Sequence, residues 1–391
     1  MSSIRDRLAH HLDVLVEQIG PRPPGSPGNR RACEHAASTL RASGLKVTEY
    51  PFTTRWWEPG EGRIETPADV LAAAPDPYSR ACDVAGHLQR VERLAALEVL
   101  EPEPARVLLL AGELAEEQLL PAAFPFVEVE QHTRIREELR RLRPAAVVAV
   151  SDHWQPILED PDLELPSTTV PLDQAAALND GEQVRVVLAG SVHEGTGATV
   201  AAHRGDRTGR LVLSAHLDSK VTTPGAFDNA AGVAVLLTLA EIDPASLDAT
   251  ELVLFNGEDH FDACGEVAWL AATDLVEVGA AINLDGVGLA GGGTSLAPLA
   301  CPPALERALD DWVDRRVRWT RAAPWIESDH AIFAMQGIPA LAITSEDVHQ
   351  LLGGLAHTPR DTLEVLDLDL LEEAVTALPE LMALTRRHLT G

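Results

Sequence analysis

Apolar residues recur at helical spacing in Ile4, Leu8, Leu12, Val16 and Ile19. The pattern stops at Gly20-Pro21-Arg22-Pro23-Pro24-Gly25-Ser26-Pro27-Gly28, a run that no helix crosses. A second helix is expected over residues 29–43, closed by Gly44. A half-buried strand follows over 45–50, where apolar and polar positions alternate. From about residue 60 the texture changes. Pro, Gly and Glu punctuate 57–77, apolar runs at 107–110 and 145–150 read as strands, and 135–142 reads as helix. Residues 60–190 are therefore expected to form a separate small β-rich module. From about 191, apolar strands at 211–215, 252–255, 280–284 and 339–343 alternate with helices, one over 230–240 and a closing one over 366–389. Such strands call for a mostly parallel mixed sheet with helices on both faces. The expected fold class is α/β, with one domain built from 1–59 and 191–391 and a module inserted at 60–190.

Composition narrows the partners. Asp and Glu number 60 against 31 Lys and Arg, a formal charge of −29. A phosphate-binding surface needs a basic footprint, so no nucleic acid and no anionic membrane is expected as a partner. No stretch of about 18 apolar residues occurs, and the start, with Arg5, Arg7, His10, His11 and Asp13, lacks the apolar run of a secretory signal. Cys33, Cys82, Cys264 and Cys301 lie far apart with no C-x-x-C pair. Reduced thiols and a cytoplasmic location are the expectation.

The candidate chemistry gathers at the ends of the later strands, where open α/β sheets place their ligands. One strand ends in His216-Leu217-Asp218, and Asp228-Asn229 follows in a Gly/Pro loop. The next ends in Asn256-Gly257-Glu258-Asp259 and another in Asn283-Leu284-Asp285, with His357-Thr358-Pro359 near the end of the chain. Each piece alone has a plainer reading. His-x-Asp is commonly a salt bridge, Glu-Asp a helix cap, and His357 a loop histidine. Their joint order points instead to a pair of hydrolytic metal ions. Imidazole and carboxylate suit zinc, and two ions about 3.5–4 Å apart need a bridging carboxylate. One further carboxylate must stay off the metals to take a proton from water. Glu258 beside Asp259 offers that division, since adjacent side chains diverge on an extended backbone.

These residues resemble the co-catalytic di-zinc exopeptidases, the family that holds bacterial aminopeptidases, glutamate carboxypeptidase and the glutaminyl cyclases. The resemblance covers the first two helices and everything from about 191, and the middle segment is similar to the protease-associated insert of some members. Gly20-Pro21-Arg22 with Gly25-Ser26, and Ser328-Asp329-His330 with Gly337-Ile338-Pro339, resemble further family motifs. The stretch from Asp285 to His357 is too short for the dimerisation domain of one related family, and that from His216 to Asp228 too short for the insert of another.

The resemblance implies a zinc-exopeptidase, phosphorylase/hydrolase-like fold and two zinc ions, with cobalt or manganese as substitutes. It makes Asp228 the bridge, His216 and Asp285 the ligands of one ion, and Asp259 and His357 those of the other. Glu258 becomes general base and then general acid, Asp218 orients His216, and the Asp228–Asn229 peptide is cis. Two departures stand out. Asp259 is one methylene shorter than the Glu often found there, and Trp325 stands where some aminopeptidases carry a tyrosine that steadies the oxyanion. Asp329 and His330 are read as supports behind the ligands or in the pocket. His260 is expected near the site without binding metal, and His349 in a mobile loop rather than as a ligand.

The implied activity is hydrolysis of N-terminal peptide bonds by a water bridging two zinc ions, on peptides with a free N-terminus. Carboxypeptidase, deacylase, glutaminyl cyclase and a non-catalytic binding homologue are the alternatives. Arg321 and Arg360 form no evident cluster for a substrate carboxylate, whereas acidic groups for an ammonium are abundant. The oligomeric state is left open, a homo-oligomer included.

Overall fold

The computed structural model describes residues 3–151, 156–205, 209–346 and 354–389. Its contacts divide the chain into two compact units, 1–54 with 195–391, and 55–194. The expected division was 1–59 with 191–391, and 60–190.

In the larger unit the central strands run in the order Ala340–Ser345, Val278–Leu284, Arg210–His216 and Thr250–Phe255, all parallel. Thr294–Leu299 pairs antiparallel with Ala340–Ser345, and residues 200–204 pair antiparallel with Thr250–Phe255. The sheet is therefore mixed around a parallel centre. Alternation splits its residues. Leu211, Leu213 and Ala215 enter the main apolar core, whereas Val212, Ser214 and His216 face the other way.

The helix Ala231–Ile242 is buried along almost its whole length. A helix apolar on all sides needs cover on all sides. The sheet and the helices Ile4–Leu12, Pro27–Ala42 and Leu368–Leu389 provide it. On the opposite face Trp269 packs edge-on against Phe255 and Phe333, with ring centroids 5.3 and 5.8 Å apart.

The second helix starts at Pro27, two residues before the sequence places it. Ser26 caps it by accepting the Asn29 backbone N–H at 3.1 Å, and Pro27 fits the first turn, where no N–H is required. The following strand, Lys46–Glu65, runs well past residue 50.

The smaller unit holds parallel strands Cys82–Val91, Arg106–Leu110, Ala146–Ser151 and Ser167–Pro171, with residues 183–188 antiparallel at the edge. One apolar layer covers Leu108 and Leu110 with Ile135 and Leu139 of the helix Glu130–Leu142, and another covers Val107 and Leu109. No helix among the described residues is long and apolar enough to cross a membrane.

Candidate metal centre

Three adjacent parallel strands bring the chemistry together. Arg210–His216 lies between Thr250–Phe255 and Val278–Leu284, so residues just past their C-terminal ends stand about 4.8 Å apart from strand to strand. The chain leaves the His216 strand for a neighbour on one side and later adds one on the other. That switch opens a crevice at His216.

His216 is fully buried, with Nε2 2.9 Å from Asp228 Oδ1 and 3.4 Å from Asp285 Oδ1. His357 Nε2 lies 3.0 Å from Asp228 Oδ2 and 2.9 Å from Asp259 Oδ1. Asp228 therefore turns one carboxylate oxygen to each of two His–Asp sets. The side chains of His216, Asp228, Asp259, Asp285 and His357 converge, with His216 and Asp285 on one side of Asp228 and His357 and Asp259 on the other.

The donor set fits divalent cations of the zinc class, since each half offers an imidazole nitrogen and carboxylate oxygens. The electrostatics agree. Burial alone would push His216 and His357 down, but the surrounding carboxylates hold both well above the ordinary histidine range. Burial raises Asp228 and Asp259, yet their histidine neighbours bring both below the ordinary range. The cluster therefore favours positive charge between its acids, which bound cations would supply.

The loop between His216 and Asp228 is fixed from outside the sheet. The buried Arg22 guanidinium donates to the carbonyls of Leu217 and Pro224, each at 2.7 Å, and of Gly225 at 2.8 Å. Gly225 has φ +66°, and a Cβ there would meet Ser219 Cβ at 2.7 Å, so only glycine fits. Asp361 accepts the backbone N–H of Phe227 at 2.6 Å and of Asp228 at 3.1 Å, which aims the bridging side chain. The Asp228–Asn229 peptide is cis, as the family resemblance implied.

Asp218 is buried beneath the ligands. Its Oδ1 is 3.6 Å from His216 Nδ1 and accepts the Gly257 N–H at 2.9 Å, and its Oδ2 accepts the Asp259 N–H at 3.1 Å. It addresses both the histidine and the loop carrying Glu258 and Asp259. That loop corrects one expectation. Glu258 and Asp259 lie in a turn rather than on extended backbone, because the strand ends at Phe255. There Asn256 and Asn29 form a reciprocal amide pair at 2.6 and 3.0 Å, and the His260 N–H bonds the Gly257 carbonyl at 3.1 Å. Glu258 is half-buried. Burial raises its carboxyl well above the ordinary range, His216 opposes this, and Asp259, Asp285 and Asp329 add to it.

Several supporting residues escaped the sequence reading. Ser328 donates to Asp285 Oδ2 at 2.5 Å and accepts from Asn283 Nδ2 at 2.9 Å, while Ser214 donates to Asn283 Oδ1 at 2.7 Å. A polar relay on the face opposite the main core thus fixes the Asp285 carboxylate. Its one sequence signal was polar residues at alternate positions of otherwise apolar strands. Arg22 sat inside the Gly20-Pro21-Arg22 motif without a role, and Asp361 lies four residues past His357.

Trp325 is half-buried and meets the His330 ring edge-on at 4.4 Å, and its carbonyl lies 2.7 Å from His330 Nε2. His330 therefore braces the Trp325 segment. Asp329 is buried, and burial with the nearby charges of Asp285 and Asp218 keeps its carboxyl well above the ordinary range, while burial with Asp329 and Asp218 does the same for Glu266. His260 bonds Thr54 and stays outside the five-residue set. His349 lies outside the described residues.

The family model described as Peptidase family M28 matches residues 198–382. No curated protein matches. Among solved structures, an aminopeptidase from Aneurinibacillus sp. strain AM-1 is similar at a TM-score of 0.76 and 18% identity, over 98% of this chain and 93% of that one. A zinc aminopeptidase from Bacillus subtilis gives 0.71 and 15%, over 96% and 94%. A Porphyromonas gingivalis glutaminyl cyclase gives 0.51 and 15%, over 98% and 99%. All five expected ligand positions and the base position lie inside residues 198–382, the stretch that matches the model of Peptidase family M28.

Proposed function

We propose that the protein is a zinc-dependent aminopeptidase with two ions per active site, acting on peptides with a free N-terminus. The observation that carries this reading is Asp228, whose two oxygens face two separate His–Asp sets. His216 and Asp285 would hold one ion and Asp259 and His357 the other, with Asp228 shared between the two sets.

When bound, such a pair supplies an acidified water and polarises the scissile carbonyl. Glu258 takes the proton of the attacking water and delivers it to the departing amine. Buried among acids, Glu258 on its own retains its proton. It serves as a base only when neighbouring cations offset those charges. Asp218 keeps His216 in register with the turn that carries the base, and Ser328 leaves Asp285 Oδ1 facing inward. Trp325 lines the substrate side. The excess of acids attracts a cationic peptide terminus at long range.

The aminopeptidase structures are the more similar of the relatives described, which favours this reading over cyclisation. Four free cysteines fit a cytoplasmic setting. The inserted unit is protease-associated-like in this proposal.

The test is a panel of aminoacyl chromogenic substrates, free and N-blocked, together with peptides bearing N-terminal glutamine, after zinc reconstitution. Cleavage confined to free-amine substrates is expected, while cyclisation of the glutamine peptides or turnover of blocked substrates would overturn it. Glu258→Gln should keep its metal and lose about 10²–10⁴-fold in turnover.

A further inference from the structure

The loop that carries Glu258 and Asp259 continues through His260, Asp262 and Cys264, and these three side chains converge away from the five ligands. One donor atom from each lies within 4.8 Å of the other two. His260 and Cys264 are more than nine-tenths buried. Asp262 Oδ1 is shut off from water, has no hydrogen-bond partner, and lies 3.8 Å from His260 Nε2. The Thr54 hydroxyl sits 2.9 Å from both His260 Nε2 and Asp262 Oδ2, bracing the pair from the strand Lys46–Glu65. The charged neighbours of the thiol are acids, Asp262, Glu266 and Asp218.

We propose that His260, Asp262 and Cys264 bind a third divalent cation of the zinc class, which staples the loop bearing Glu258 and Asp259. The donor set selects the metal. One imidazole, one carboxylate and one thiolate suit zinc or cobalt, whereas calcium and magnesium need an all-oxygen shell. A thiol buried among acids keeps its proton on its own. Binding therefore releases one proton from Cys264 to solvent and leaves the thiolate on the metal. The cation also offsets the charge at Asp262 Oδ1, which is shut off from water 3.8 Å from His260 Nε2. It acts on the reaction only by holding the turn that presents the base.

The five-ligand centre has no sulfur donor, and that difference makes the test specific. Metal-free full-length protein is titrated with cobalt while near-ultraviolet absorption and bound cobalt are followed. A thiolate-to-cobalt charge-transfer band is expected, present in Cys33→Ser and lost in Cys264→Ser together with roughly one cobalt per chain. If Cys264→Ser fails to fold, Asp262→Asn should weaken cobalt binding at the sulfur-containing site and shift the band to higher cobalt concentration. No band in the parent protein, or a band unchanged in Cys264→Ser or Asp262→Asn, would overturn the proposal. The band does not report on the five-ligand centre, so this site and the aminopeptidase reading fail independently.

Discussion

Two buried histidine clusters in the larger unit behave in opposite ways. At the candidate centre His216 and His357 are each faced by carboxylates, and both are held well above the ordinary histidine range despite burial. At the junction of the helices Ile4–Leu12, Pro27–Ala42 and Ala231–Ile242, His11 is buried as deeply as His216 but meets His35 at 2.9 Å and Glu241 at 3.4 Å. Burial, reinforced by His35 and only partly opposed by Glu241, brings His11 down to about 4. Arg7 lies 2.7 Å from Glu241 and takes up much of its charge. The neighbours therefore decide the outcome. An imidazole walled by several acids marks a place that calls for positive charge, and one facing another imidazole is a neutral packing element. Only the first arrangement is built for cations.

The largest effect should come from removing the charge shared by both halves of the centre. Asp228→Asn leaves one oxygen and no net charge between His216 and His357. We expect loss of most bound metal and a fall in turnover of at least about 10³-fold, an estimate based on the loss of metal-assisted catalysis. Metal analysis of the purified variant beside its kinetics provides the check. Parent-level metal content and turnover would remove the distinction between the clusters.

The second prediction concerns pH and the His11 cluster. The folded-state pKa of His11 is about 4, below its ordinary value of 6.5, so the unfolded chain binds the extra proton first. The neutral-histidine packing is fully stable above about pH 6.5, and stability is lost as pH falls towards 4. The contribution is roughly 3 kcal/mol at one pKa unit per 1.36 kcal/mol. Urea melts of the parent and His11→Gln between pH 4.5 and 7.5 should differ in slope, with the variant flatter. Turnover at neutral pH should be unchanged.

Legibility in the sequence followed the same divide. The ligand order was readable because each acid or imidazole interrupts an apolar strand end or a Gly/Pro loop, and charge there is costly without function. The helices with one periodic face were readable too, the closing helix Leu368–Leu389 most clearly. Long-range polar contacts were not. Asp361 reaches Phe227 and Asp228 across a large sequence separation. Asn29 pairs with Asn256 only because the second helix packs beside that strand end. Neither partner leaves a periodic trace. The His11 cluster was hidden for the same reason, its histidines lying in ordinary helical pattern. The turn at Glu258 was misread as extended because local alternation cannot register a strand stopped by a distant amide.

The smallest predicted effect tests how far rigidity around the acids matters. Ser328→Ala removes the donor to Asp285 Oδ2 and leaves the ligand itself in place. Asn283 then loses an acceptor for its Nδ2, while Ser214 still holds its Oδ1. Partners behind metal ligands are worth about 10–100-fold in metal affinity or activity. Because Asp285 faces His216 only, the loss should fall on one ion of the pair. Competition with a chelator should therefore release one metal more readily from Ser328→Ala, with the other held as in the parent. Equal weakening of both would mean that Ser328 supports the whole cage. No weakening would mean that the charge of the acids alone, without the relay behind Asp285, sets the difference from the His11 cluster.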